Sequence, residues 1–380
     1  MNKNKNTNQI IKIVHVFGAL DRGGSETMIM NLYRVIDKDR FQFDFIKHTE
    51  TIGAYEAEIR QLGGNIFSVP RYTIYNHRHY VTAWNNLITD HPEWDIVHAH
   101  MRSTAHMYTK LLKKADKKVI IHSHSASENK GIKGSVQQFY QRNITEFADI
   151  LLATSKAAGN YLFRKKEFNV ISNGFCVSDF KFDIHKRTNI RASLKIADQT
   201  LLLGMVGRLD KVKNHGYIID VLTEFNQMTH DWRLLIIGKG KLEDNIKQTL
   251  KARKLLGNTI FIESTDEMSS YYSSMDVLLF PSLREGLGNV AIEAQANGLN
   301  VVSSNTVPLE TNITDRIEYL PIDKKSMNKW VRKIESIYTE DKDSYIESRT
   351  RYNEIIEQTE FELSKNVRFY EKVYGDLGEH

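Results

Sequence analysis

The sequence holds a single cysteine, Cys176, among 380 residues. No intrachain disulfide can form, and a reducing compartment is the simple implication. No apolar run approaches the ~20 residues that a membrane-spanning helix needs. The first residues, MNKNKNTNQ, are polar and lack the apolar core of a secretory signal. These absences predict a cytoplasmic chain, soluble or peripheral at the inner face of a membrane. No short-period repeat is found, which excludes a solenoid. No nucleic-acid-binding motif accompanies the net charge of +5, so nucleic acid is not an expected partner. The charge is uneven. Residues 1–180 are basic and the remainder is slightly acidic, so the first half favours anionic ligands or surfaces.

What is present is alternation. The length suits two domains. IIKIVHVFGAL, FQFDFIKH, NIFSVP, WDIVHAH, KKVIIHSH, ADILLATS and FNVISNG read as strands. Helical patterns separate them. One opens after Gly23 and Gly24, with Met28, Leu32, Val35 and Ile36 as its apolar stripe. Others are expected over Tyr55–Gly64, Val81–Thr89, Met101–Ala115, Ser135–Phe147 and Lys156–Phe163. The rhythm breaks near residues 175–190, which are expected to be a linker. TLLLGMVGRL, WRLLIIGKG, NTIFIES, DVLLFPS and NVVSS then continue it, and the chain from about Lys324 reads as helical and polar. Strands alternating with helices predict an α/β fold of two facing doubly wound, Rossmann-like domains with a cleft between them. The expected domains are residues 1–180, residues 181–360, and a C-terminal helix at 361–380 that packs back on the first domain.

Three stretches carry chemistry. In FPSLREGLGNVAIEAQANGLNVVSS, a strand meets a glycine loop and then a helix that stops at Gly298. Gly286, Leu287, Gly288 and Asn289 form the loop, and Glu285 and Glu293 stand eight apart, a little over two helical turns. Glycines let backbone N–H groups approach a ligand, and a helix N-terminus behind them favours negative charge. Glutamates accept sugar hydroxyls, so the stretch suits a phosphorylated, hydroxyl-rich ligand. In GMVGRLDKVKNHG, Arg208 and Lys213 project beyond a strand, where cations suit a diphosphate leaving group. Gly238-Lys239-Gly240 ends another strand. Gly23-Gly24-Ser25-Glu26 opens the first helix and is not GxGxxG, so a dinucleotide reading is poor.

These stretches resemble the retaining glycosyltransferases of the GT-B fold, in the glycogen-synthase-like group 1, family 4 class. Pro281, Ser282, Glu285, Gly286, Gly288, Glu293, Ala294, Gly298, Val301 and Val302 match the family's signature. Asn300 replaces its usual proline, with some loss of loop rigidity expected. Gly-Arg-Leu followed by Lys213, Asn214 and His215 matches its phosphate motif, and Gly-Gly-x-Glu its first loop. GGSETMIMNLYRVID, FQFDFI and HSHS are similar to the subgroup that makes bacterial exopolysaccharide and capsule. The resemblance implies transfer of a hexose or N-acetylhexosamine from a nucleotide diphosphate sugar, favouring UDP, with retention. The acceptor would be a glycan or lipid-linked glycan. Arg208 and Lys213 would hold the diphosphate, Glu285 the sugar, and Glu293 the ribose. Gly23, Gly24, Gly238, Gly286, Leu287, Gly288 and Asn289 would line the nucleotide-sugar site, and the backbone at Glu263 to Thr265 would meet the base. No metal or other cofactor is expected, because the cations take its place.

The resemblance also favours His124 as a catalytic-site histidine near the sugar or acceptor, with His100 on the acceptor side. His98, His100, His122 and His124 cluster at strand ends. Their spacing is that of strand alternation, without a cysteine or an H-E-x-x-H pattern, which speaks against zinc. The basic first half and the stretch RYTIYNHRHYVTAW suggest docking on an anionic membrane surface. Two alternatives share the fold: a nucleotide-sugar 2-epimerase and a catalytically silent partner subunit.

Overall fold

A computed structural model describes residues 10–101, 104–124, 143–228 and 230–378. The chain forms two compact units. One takes the residues up to Phe175 and again from Glu360, and the other is Cys176–Thr359.

The first unit is built on seven parallel strands: β1 (Ile11–Phe17), β2 (Phe41–Lys47), β3 (Ile66–Ser68), β4 (Ile96–Ala99), β5 (Lys118–Ser123), β6 (Ile150–Ala153) and β7 (Asn169–Val170). Their order is β3-β2-β1-β4-β5-β6-β7. Period-two alternation places Ile13 and Phe17 in the core on one face, and Val14 and Val16 in the core on the other. Such double-sided burial is why the strands read as continuous apolar runs. The helix Gly24–Val35 buries Met28, Ile29 and Leu32 against the first of these cores. The helix Leu363–Gly378 joins that same core through Tyr370 and Tyr374. Of the helix expected at Ser135–Phe147, residues 135–142 lie outside the described residues, and Asn143–Phe147 form turns.

The second unit carries β8 (Leu201–Val206), β9 (Trp232–Ile237), β10 (Thr259–Ile262), β11 (Val277–Phe280), β12 (Asn300–Ser304) and β13 (Ile317–Leu320). All pair in parallel, in the order β10-β9-β8-β11-β12-β13. Two expectations are corrected. The stretch expected as a linker includes most of a helix, Ile184–Ser193, whose N-cap Asp183 accepts from the His185 and Lys186 N–H groups. It buries Arg187 and Arg191, and Arg187 Nη2 stands 2.7 Å from Asp276 Oδ1. The sequence looked polar there because the buried side chains are arginines. They bond to Asp276 and to the carbonyls that end the helix Met268–Ser274, among them Ser274 O at 3.0 Å from each. β13 went unpredicted because IEYL is short and half polar, as an edge strand can be.

Candidate active site

In both sheets the strand order reverses beside the first strand, at β1/β4 and at β8/β11. At such a switch point the loops leaving the strand ends part, and a crevice opens for a ligand. In the second unit, β8 and β11 deliver the two most informative sequence motifs to one place. Leu283 N–H donates to Val212 O at 2.8 Å, and Asn214 Nδ2 donates to Pro281 O at 3.2 Å. Asp210 accepts from the N–H groups of Val212 and Lys213 and so caps the turn that carries Lys213.

Lys213 Nζ lies 2.8 Å from Glu285 Oε1 and 4.8 Å from the centroid of the Phe280 ring. Both partners of this ion pair are mostly shielded from water. Glu293 is half-buried on the helix Asn289–Ala296, and Tyr272 Oη donates to its Oε2 at 2.9 Å. Burial raises the Glu293 pKa, against the opposing pull of the Tyr272 hydrogen bond and the Lys213 charge. Lys213 therefore acts on both glutamates. Arg208 is not part of this group. Its side chain is 81% exposed and reaches Asp210 on its own loop at 3.5 Å.

The glycines have distinct reasons. Gly207, Gly238 and Gly288 adopt φ of +136°, +146° and +103°, which L side chains rarely occupy. A Cβ on Gly238 would stand 2.0 Å from Gly207 O, so the loops after β8 and β9 touch backbone to backbone. Gly288 is the N-cap of the helix that bears Glu293. Gly286 and Leu287 lie in the same loop, and Leu287 is buried. Asn289 Oδ1 and Ser282 Oγ are buried without a hydrogen-bond partner among the described residues. Two such atoms flanking one glycine loop mark a place where a polar ligand would complete the bonding. Lys239 Nζ meets Glu263 Oε2 at 2.5 Å, joining the Gly238 loop to the segment expected near the base. Asn300 does not loosen its loop: its N–H donates to Tyr345 Oη at 3.1 Å, a bond proline could not make, and its Oδ1 accepts from Arg316 Nη1.

In the first unit, Gly23 is the N-cap of the helix Gly24–Val35. A Cβ on Gly23 would meet the carboxylate of Glu26 at 2.3 Å, whereas one on Gly24 would meet open space. The strand-end histidines form two chains. His15 Nδ1 pairs with His100 Nε2 at 3.0 Å, and His100 Nδ1 with His124 Nε2 at 2.9 Å. His98 Nδ1 pairs with Tyr374 Oη at 2.9 Å, and His98 Nε2 with His122 Nδ1 at 3.3 Å. Sequence reasoning missed His15 and Tyr374. His15 sits on β1 opposite His98 in the pairing register, which only the sheet order reveals. Burial lowers the His15 pKa to about 3 and holds His98, His100 and His122 well below their ordinary value. Two triads, His15–His98–His100 and His100–His122–His124, bring ring nitrogens within 4.8 Å. They contain no carboxylate, and a metal ion held there would displace the nitrogen–nitrogen hydrogen bonds.

A family model for the group 1 glycosyl transferases matches residues 186–359, and one for glycosyltransferase family 4 matches residues 22–178. The chain belongs to this family of enzymes: it is a glycosyltransferase with the GT-B fold. Among its relatives, EpsF of Bacillus subtilis (strain 168) is 30% identical over 305 residues, 78% of this chain and 79% of EpsF. The O-antigen biosynthesis glycosyltransferase WclY of Escherichia coli is 30% identical over 233 residues, 61% of this chain and 62% of WclY. A crystal structure of Anabaena Alr3699/HepE in complex with UDP and glucose aligns with a TM-score of 0.78 at 16% identity, over 96% of this chain and 100% of HepE. WaaG, a glycosyltransferase involved in lipopolysaccharide biosynthesis, aligns with a TM-score of 0.71 at 17% identity, over 94% of this chain and 99% of WaaG. At such identities these two structures speak to the fold alone.

Proposed function

We propose that the chain transfers a hexose or N-acetylhexosamine from a UDP-sugar to a glycan or lipid-linked acceptor during surface-polysaccharide synthesis, with retention of configuration. The observation that carries this reading is the convergence of Lys213, Glu285 and Glu293 beside a glycine loop at the β8/β11 switch point. Lys213, with Arg208 swinging in from solvent, neutralises charge that grows on the leaving diphosphate. Glu285 holds sugar hydroxyls, and Glu293 takes the ribose with the carboxylate oxygen that Tyr272 leaves open. The loop Gly286–Asn289 offers N–H groups to phosphate or sugar, and the Gly238 loop borders the nucleotide. In the first unit, Gly23 and Gly24 offer amides to a phosphate or sugar group, and His100 and His124 serve the acceptor side. The leaving phosphate oxygen takes the acceptor's proton, and no metal is needed. EpsF, WclY and the UDP complexes of HepE support the same reading by likeness.

We place the enzyme at the inner face of the membrane. No helix among the described residues is long and apolar enough to cross it. The turn Ile74–Asn76 instead presents Ile74, 67% exposed, and a fully exposed Tyr75 beside Arg71 and Arg78. Reciprocal bonds between Thr73 and Asn76 hold that turn rigid, which suits an interfacial anchor on anionic lipid.

The test is a thermal-shift panel of nucleotide sugars, with and without EDTA, followed by product analysis. Binding raises apparent stability by mass action. A UDP-sugar should stabilise the chain equally with EDTA present. Stabilisation by none of the panel, or release of an epimerised sugar without acceptor, would refute the reading.

A further inference from the structure

Tyr272 and Glu293 stand on two helices of the second unit, Met268–Ser274 and Asn289–Ala296, and one hydrogen bond joins their side chains. Tyr272 Oη donates to Glu293 Oε2 at 2.9 Å. The other oxygen, Oε1, has no hydrogen-bond partner among the described residues and is not sealed from solvent. The phenol cannot follow a carboxylate that swings away. Its ring is fully buried, in a core shared with Leu278, Phe280, Ala291 and Ala294. The Tyr272 carbonyl accepts from Arg349 Nη2 at 2.9 Å, and Arg349 is itself fully buried. Phe180 packs on the ring at a centroid distance of 6.1 Å, and Asn297 Nδ2 holds Phe180 O at 2.8 Å. Tyr272 Oη is therefore a fixed point, and Glu293 is tethered to it.

We propose that Tyr272 is a positioning residue: it pins one carboxylate oxygen of Glu293 and so keeps the other aimed at the ribose hydroxyls of the nucleotide. This rests on the reading of Glu293 as the ribose partner. The charge state agrees with it. Burial holds the Tyr272 pKa well above its ordinary value, so the hydroxyl keeps its proton and donates it. Among the described residues, Tyr272 and Lys213 are the groups that act on Glu293, and the Lys213 ammonium also pairs with Glu285. Both favour the ionised carboxylate against the cost of burial. An ionised carboxylate only accepts hydrogen bonds, whereas a protonated one turns an oxygen into a donor. Losing the Tyr272 hydroxyl would therefore cost both the aim of Oε1 and part of its accepting power.

The test compares UDP with 2′-deoxy-UDP by calorimetry on the full chain, from about pH 8 to about pH 6. The ratio of the two affinities cancels the titration of the shared phosphates. Wild type should favour UDP roughly 10- to 150-fold, the worth of a hydrogen bond to a charged group, with a level ratio across this range. Tyr272→Phe keeps the ring and should cut the ratio about 3- to 10-fold, and further toward the acid end, because the carboxylate has lost a donor that favours its ionised form. A fall in both affinities with the ratio unchanged would mark a merely structural role and overturn the proposal. So would a wild-type ratio in Tyr272→Phe at every pH. Infrared difference spectra of wild type against Glu293→Gln, taken near neutral pH without nucleotide, should show an ionised carboxylate; a carboxylic acid band would overturn the proposal even if Tyr272→Phe does not fold. A wild type that fails to distinguish the two nucleotides refutes the ribose role of Glu293 and this proposal with it. One that distinguishes them while Tyr272→Phe does so equally well refutes this proposal alone.

Discussion

Mild acid should unfold the first unit long before it reaches the carboxylates. Five of its histidines, His15, His48, His98, His100 and His122, are buried, and burial lowers the pKa of each. His15 falls to about 3 and His48 to about 4, from 6.5. The folded unit thus binds no proton at these sites in mild acid, while the unfolded chain takes one at each as the pH passes below ~6.5. The unfolded state binds more protons, so stability falls as pH falls. The loss begins near the unfolded value and continues down to the lowered folded values. From pH ~6.5 to ~5.5 each histidine contributes ~1 kcal/mol of lost stability, so the five together remove ~5 kcal/mol. That is a third or more of the roughly 5–15 kcal/mol that holds a typical domain folded. Urea titrations of the full chain at closely spaced pH values, followed by near-ultraviolet circular dichroism, would measure it. The urea midpoint of the first transition should drop steeply across this interval. His15→Phe should flatten the slope by about one proton's share, ~1.4 kcal/mol per pH unit at full protonation. A midpoint that stays flat across this interval, or uptake of fewer than about two protons on unfolding, would refute the reasoning.

Four further outcomes are expected. Arg208→Ala and Lys213→Ala should each weaken UDP binding roughly 10- to 150-fold, the worth of a charged hydrogen bond; calorimetry showing unchanged affinity in both would sink the diphosphate assignment. Glu293→Gln should weaken UDP and UDP-sugar alike, while Glu285→Gln should spare UDP and reduce transfer; the opposite pattern would reverse the two roles. Gly238→Ala should destabilise the second unit by ~1–3 kcal/mol, because its φ of +146° and a 2.0 Å approach to Gly207 O leave no room for a Cβ; a wild-type melting temperature with intact UDP binding would contradict this. Ile74→Ser with Tyr75→Ser should abolish sedimentation with anionic vesicles at low salt while leaving the melting temperature unchanged; equal binding of wild type to neutral and anionic vesicles would remove the membrane reading.

Most strands were legible because both faces of each sheet are covered. Runs such as IKIVHVF and LLLGMV then carry apolar residues at nearly every position, a pattern local in sequence. The glycine loop and the helix bearing Glu293 were legible for a similar reason. Gly288, needed at φ +103°, and Gly298, at +66°, mark the two ends of one short helix. The motif residues themselves, Lys213, Glu285 and Glu293, stood out by type and spacing.

What they touch did not. Lys213 and Glu285 are 72 residues apart, and they meet because β8 and β11 are neighbours in a sheet whose order reverses there. Tyr272, which donates to Glu293, lies in a serine-rich stretch with no local mark of function. The arginines of Ile184–Ser193 disguised a buried helix as a linker, since Arg187 bonds carbonyls nearly ninety residues away and both arginines meet the distant Asp276. Arg208 and Lys213 looked equivalent in sequence, but the turn capped by Asp210 places Lys213 beside Glu285, while Arg208 extends into water. His15 became part of the histidine chain only through the β1/β4 pairing. Local periodicity follows from the geometry of one strand or helix. Ion pairs and proton chains follow from which strands lie side by side, and that is settled by the burial of both faces at once.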